Sequence, residues 1–123
     1  TIVMEEHCTG SRDFRKEVIP QEDRLMAIAA RYLDRPACPS KDWPQRKRFD
    51  HIADLVKDYN VEGAILMQQK FCDPHELDMP SLREFFEKEL DIPTYFLEFD
   101  ITVPAGQFRI RVEAFLETLV DFI

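Results

Sequence analysis

The sequence predicts an α/β fold, a parallel sheet flanked by helices, and three observations carry that prediction. Short apolar runs at about residues 1–6, 63–68 and 94–99 read as strands. Between them lie segments with apolar residues at i, i+3, i+4 and i+7, the spacing of amphipathic helices. Strands that alternate with helices imply crossover connections, hence a parallel sheet with helices on both faces, a three-layer arrangement of the Rossmann or flavodoxin-like kind.

The elements follow in order. "TIVMEE" is β-branched and apolar, and "HCTGS" then turns polar at Gly10, which permits a sharp turn. Residues 20–33 place Leu25, Ile28, Ala29 and Tyr32 on one helical face. "DRPACPSKDWP" carries Pro36, Pro39 and Pro44 and reads as a loop, with Trp43 as a packing anchor. In residues 45–59, Phe49, Ile52, Ala53 and Val56 repeat the helical spacing. "GAILMQ", Gly63 to Gln68, is the continuous apolar run of a strand covered on both faces. Leu82, Phe85, Phe86 and Leu90 mark a helix that stops before "DIP", and "TYFLEF" is the third strand. A last helix begins near Gly106, with Phe108, Val112, Phe115, Leu119, Phe122 and Ile123 along its buried stripe. Three strands make a thin sheet, and the first begins at Thr1. The expectation is one α/β domain over residues 1–123, the incomplete C-terminal domain of a larger subunit.

With 123 residues, 45% hydrophobic, the chain can bury one modest core. A net charge of -8 argues against a nucleic-acid or anionic-membrane partner, since phosphate affinity comes mainly from Lys and Arg. No apolar run approaches the ~20 residues of a membrane span. Three cysteines without a close pair fit a reducing compartment, and no basic stretch leads into an apolar one at the start. The expected location is the cytoplasm.

Ligands of open parallel sheets bind beyond the carboxyl ends of the strands. That rule selects "EEHCTGSR", "QKFCDPHE" and "EFDITVPAGQ", and so Cys8 and Cys72; Cys38 lies in the proline-rich connection. After Cys72, Asp73 suits a helix cap, Pro74 the first helical position, and Glu76 completes a D-x-x-E capping box. A cysteine there feels the positive end of the helix dipole, which favours the anionic sulfur that binds metal or attacks an electrophile. Cys72 can equally be a small buried hydrophobe, or a nucleophile with His75 as base. The cysteines are about thirty residues apart, so no zinc or ferredoxin spacing exists within the chain. Glu5, Glu6, Glu98 and Asp100 at strand ends read as rim charges or caps before an acid–base pair. Arg12, Arg15, Arg109 and Arg111 read as solvated cations before a phosphate site. Gly10 and Gly106 make no dinucleotide or phosphate-loop fingerprint.

Three ordered blocks, "VEGAILMQQKFCDPHELDMPSL", "DIPTYFLEFD" and "GQFRIRVEAFLETL", preceded by "EEHCTGSRDF" and "AARYLDRPACP", carry a resemblance. With their spacing they are similar to the C-terminal part of the iron–sulfur subunits of 2-hydroxyacyl-CoA dehydratases and benzoyl-CoA reductases. The resemblance implies a [4Fe–4S] cluster held by three cysteines, with one iron open to substrate. Cys72 matches one ligand, the other two belong to segments outside this chain, and Cys8 and Cys38 match positions that are not ligands. It also implies an acyl-CoA substrate, a heterodimer with a second subunit of the same family, and an ATP-hydrolysing iron–sulfur activator that delivers single electrons. In the dehydratases a ketyl radical then expels the hydroxyl group; in the reductases the aromatic ring is reduced. No catalytic acid or base is assigned by the resemblance, and this piece alone is expected to be inactive. The reading of another class is a cluster-free α/β regulatory or assembly domain with Cys72 as core filler.

Overall fold

A computed structural model describes residues 1–120. The chain divides into two compact units, Thr1–Tyr59 and Asn60–Ile123.

The first unit is helical. α1 spans Ser11–Phe14, α2 Arg24–Leu33 and α3 Lys47–Asp58, with a 3₁₀ turn at Pro39–Lys41. Its core comes from α3, where Phe49, Ile52, Leu55 and Val56 are buried. Residues 1–6, expected as a strand, are not one: they pair with no segment among the described residues, and Ile2 is 87% exposed. β-branched composition supplies no hydrogen bonds, and a strand without a neighbour has nothing to hold it extended. Side chains fix this segment instead. Ser11 N–H donates to Glu5 Oε1 at 2.6 Å, and Ser11 Oγ donates to the Glu5 carbonyl at 2.8 Å. Gly10 sits inside that turn at ordinary φ, and a Cβ there would lie 2.2 Å from Glu5 Oε2. A Cβ would make the ends of the Glu5 and His7 side chains give way.

Below the turn is a buried ion cluster. Glu6 accepts from Arg12 Nε at 2.6 Å through one oxygen and from Arg48 Nη1 at 3.1 Å through the other. All three side chains are at least nine-tenths buried. Asp42, also buried, accepts the Arg48 backbone N–H at 3.0 Å at the start of α3.

α2 departs from expectation. Asp23 caps it through Leu25 and Met26 N–H, yet the face of Leu25, Ile28 and Tyr32 is open to solvent and only Ala27 is buried. The helix is anchored through the opposite side, where Arg31 donates to the carbonyls of Asp13 and Lys16. Periodicity announced an apolar face, but burial needs a covering element. Trp43, expected as a packing anchor, is 72% exposed, with the Arg46 guanidinium 4.9 Å from its ring centre.

In the second unit β1 (Ala64–Gln69), α4 (Asp73–Lys88), β2 (Thr94–Phe99) and α5 (Ala105–Val120) alternate. β1 and β2 pair in parallel from Ala64↔Thr94 to Gln69↔Phe99. The α/β class holds, with a sheet of two strands among the described residues. β1 is covered on one face and not on both. Leu66 and Gln68 are buried, while Ile65 and Met67 between them are exposed. α4 lies against the sheet with Met79, Leu82 and Phe86 inward, runs on through Pro80, and ends where Asp91 turns left-handed. There Leu90 and Ile92 N–H return to the carbonyls of Phe85 and Phe86. On α5, Phe108, Val112, Phe115 and Leu119 are the sheltered stripe, as predicted; Phe122 and Ile123 fall outside the described residues. Phe115 stacks on Tyr95 of β2 at 5.5 Å. Gly63 admits this packing, since a Cβ would meet Leu119 Cδ1 at 2.7 Å. No described helix is long and apolar enough to cross a membrane.

Two stability outcomes follow. Glu6→Gln removes the shared anion of two buried guanidinium groups and is expected to cost about 3–5 kcal/mol in urea unfolding, with exposed Glu22→Gln near neutral. Pro80→Ala restores an N–H to the middle of α4 at an exposed position and is expected to stabilise the chain by about 1–3 kcal/mol.

Candidate functional site

The sheet register decides what meets at its carboxyl end. Gln69 and Phe99 are partners, and Lys70 N–H adds one more bond to the Phe99 carbonyl at 2.9 Å. The loops after β1 and β2 therefore leave from the same edge. Lys70 Nζ lies 3.8 Å from Glu98 Oε1 and 4.0 Å from Asp100 Oδ2. The two carboxylates are thus rim charges gathered around an ammonium, and each of these groups is nearly half exposed, so the pairing contributes little to stability. Lys70 was not singled out in the sequence; its place one residue beyond a strand was the available signal.

The chain passes from β1 to α4 within three residues. Phe71 adopts φ 66°, and Cys72 N–H closes the turn on the Gln69 carbonyl at 3.2 Å. A left-handed aromatic residue costs about 1–2 kcal/mol and persists only where its surroundings fix it. Its ring gains no burial in return, being 87% exposed. The turn delivers Cys72 to the N-cap of α4, half-buried.

Asp73 is therefore not the cap. It is the first helical residue, no side chain caps the helix, and the D-x-x-E box does not form. The Cys72 carbonyl receives both His75 N–H and Glu76 N–H at 3.0 Å. Pro74 has no N–H to give, which leaves the first turn the Asp73 amide to offer.

The other predicted positions have structural duties. Glu5 and Glu6 hold the turn and the ion cluster of the first unit. Arg109 pairs with Glu113 one turn along α5 at 2.7 Å, and Arg111 and Gly106 are exposed. Arg12 is buried on Glu6, and Arg15 lies 3.6 Å from Asp58. Cys8 is exposed. Cys38 is half-buried: burial pushes its thiol up, but hydrogen bonds with Ser40 and the charges of Arg12 and Arg48 outweigh that and hold it below its ordinary value.

Among the described residues no three His, Cys, Asp or Glu side chains converge as a metal-ligand set. A [4Fe–4S] cluster takes three or four thiolates. The second unit has one cysteine, so the residues present fit a single corner of such a group and do not complete it.

Comparison with known proteins adds the family. The family model of the 2-hydroxyglutaryl-CoA dehydratase D-component matches residues 1–119. The chain is 32% identical over 119 residues to the beta subunit of (R)-phenyllactyl-CoA dehydratase from Clostridium sporogenes, covering 96% of this chain and 31% of that protein. It is 33% identical over 79 residues to subunit beta of (R)-2-hydroxyglutaryl-CoA dehydratase from Acidaminococcus fermentans, covering 63% of this chain and 21% of that subunit. The chain thus spans about a third or less of the length of these curated relatives.

The environment of Cys38 gives a direct outcome. Ser40→Ala removes one of the bonds that favour the thiolate, so the pKa rises and the thiolate fraction at neutral pH falls. Alkylation of Cys38 by iodoacetamide, followed by peptide mass spectrometry, is expected to slow severalfold, with exposed Cys8 unchanged as the internal reference.

Proposed function

From the premise that this chain belongs to the family of the 2-hydroxyglutaryl-CoA dehydratase D-component, we propose that it is part of a subunit that dehydrates a 2-hydroxyacyl-CoA to an enoyl-CoA. The observation that carries this reading is the match over residues 1–119, with Cys72 set at the turn from β1 into α4 within it. Both relatives are named as dehydratases, which favours dehydration over reduction of an aromatic ring.

In this reading Cys72 supplies one thiolate to a [4Fe–4S] cluster, and two cysteines outside this chain supply the others. When bound, the cluster provides one-electron chemistry and an open coordination site. The chain's own residues do the positioning. Phe71 makes the left-handed turn, the Cys72 N–H anchors it to Gln69, and the Cys72 carbonyl is tied to His75 and Glu76, so the backbone carrying the sulfur is held at both ends. With a cluster bound, the Asp73 amide would be free to donate to a cluster sulfur, the kind of hydrogen bond that raises a cluster's reduction potential. Lys70, one cation between the carboxylates of Glu98 and Asp100, offsets part of the negative charge at the same edge.

The relatives are named as beta subunits, which supports a second subunit of the same family as partner. An ATP-hydrolysing iron–sulfur activator is the proposed source of the electron. The two-stranded sheet is proposed to extend, in the whole subunit, into a three-layer parallel arrangement.

The test is the iron content of the full-length subunit, purified with its partner without oxygen. Cys72→Ser is expected to lower iron per protein sharply, together with the visible absorbance of the cluster. Unchanged iron would remove Cys72 from the ligand set. A wild-type protein without iron would favour a cluster-free regulatory or assembly domain.

A further inference from the structure

Apolar side chains gather uncovered at the carboxyl edge of the sheet. Among the described residues, the three most exposed large apolar side chains of the Asn60–Ile123 unit are Ile101 at 89%, Phe71 at 87% and Leu77 at 80%. Phe71 stands in the turn after β1, Ile101 in the loop after β2, and Leu77 in the second turn of α4. Gln69 and Phe99 are register partners, so Phe71 and Ile101 each lie two residues beyond the ends of strands about 4.8 Å apart. Exposed Val103 follows in the loop after β2. One exposed apolar residue is ordinary, whereas several at one edge mark a contact surface.

The backbone gives a second and independent sign. Phe71 is left-handed at φ 66°, and nothing within the chain buries its ring in return. Strained backbone of this kind gathers where a site grips something outside it. An aromatic ring held out on a fixed turn has the form of an interface anchor.

Charge selects the kind of partner. Beside these side chains lie Glu98 and Asp100 at the end of β2 and Asp73 and Glu76 in the first turn of α4, with Lys70 between the first two. A second copy of the chain meeting this edge would set these carboxylates against their own counterparts, which opposes association. A surface with a basic rim gains where a copy loses. We infer that this edge docks a different protein subunit, whose facing patch is apolar at its centre and carries Lys or Arg at its rim. That this partner is the second subunit of the dehydratase rests on the function proposed above.

The test uses the full-length subunit purified as a complex with that second subunit, its dissociation followed by mass photometry on dilution. Phe71→Gly removes the ring and frees the backbone of its strain, so the melting temperature is expected not to fall. The dissociation constant is expected to rise about thirtyfold in Phe71→Gly and about tenfold in Ile101→Ala. Ile101→Ala, in a loop, carries the test where the glycine variant loses its fold. Exposed Val120→Ala, at the far end of α5, is expected to leave the constant unchanged. Rising salt is expected to weaken the wild-type complex by screening the rim charges. A wild-type constant in both edge variants overturns the surface. So does a wild-type subunit that pairs with itself and loses that pairing in Phe71→Gly, which gives the edge to a second copy. An intact complex whose KM for the thioester rises in Phe71→Gly gives the edge to substrate and also overturns it. Iron content of the same preparations is read separately: a wild-type complex without iron sinks the cluster reading and leaves the docking result standing.

Discussion

The Thr1–Tyr59 unit depends on one carboxylate. Glu6 accepts hydrogen bonds from Arg12, six residues on, and Arg48, forty-two residues on, and none of the three faces water appreciably. Removing such charges from solvent costs several kcal/mol per ion, and the mutual attraction offsets this only while the geometry is kept. The cluster is therefore a poor source of net stability and a strict source of register. It ties the N-terminal segment to the start of α3, whose backbone is tied in turn to Asp42. It also withdraws Glu6 from chemistry, since an acid that anchors two arginines has no oxygen left for a proton shuttle.

The Asn60–Ile123 unit has a different constraint, the parallel register of β1 and β2. Because Gln69 and Phe99 are partners, the next residues of both strands open at one edge, and Lys70, Cys72, Glu98 and Asp100 follow from that alone. The cost appears at Phe71, a left-handed residue whose ring stays in water. A glycine would adopt φ 66° without penalty, so the strain comes from the side chain and not from the turn. Apolar packing of α4 and α5 on the sheet keeps the turn in place: Leu82 and Phe86 are buried on one helix, and Phe115 is stacked on Tyr95 from the other.

What the sequence made legible were features settled within a dozen residues. The bounds of β1 and β2 came out within one residue, and the stripe Phe108, Val112, Phe115, Leu119 is the sheltered face of α5. Cys72 was placed at the right junction. The misses come from what surrounds a segment and not from its own composition. Residues 1–6 had strand composition but no neighbour, and α2 had an apolar face but no cover. Asp73 had cap chemistry, but the Phe71 turn moved the cap back by one residue. Arg12 read as a solvated cation because its spacing to Glu6 does not announce that both side chains turn inward to meet Arg48.

The charge of the chain is divided in the same uneven way. Residues 60–123 hold 13 acidic and 5 basic side chains, while residues 1–59 hold 11 of each, so the whole surplus of -8 belongs to the unit with Cys72. Under the proposed role this sets two effects against each other. A negative field opposes adding an electron at Cys72, and the N-terminus of α4 favours it. Distance decides between them. Most of the surplus carboxylates are exposed, and fields across solvent fade over about 8 Å at physiological ionic strength. At the sheet edge Glu98 and Asp100 already face Lys70, while Asp73 and Glu76 lie in the first turn of α4 itself. The helix terminus acts on the residue that caps it, with no solvent between. Under the proposed role the terminus of α4 would act on Cys72 directly, while the anionic surplus acts farther out, by repelling other anions from this unit and drawing cationic surfaces toward it.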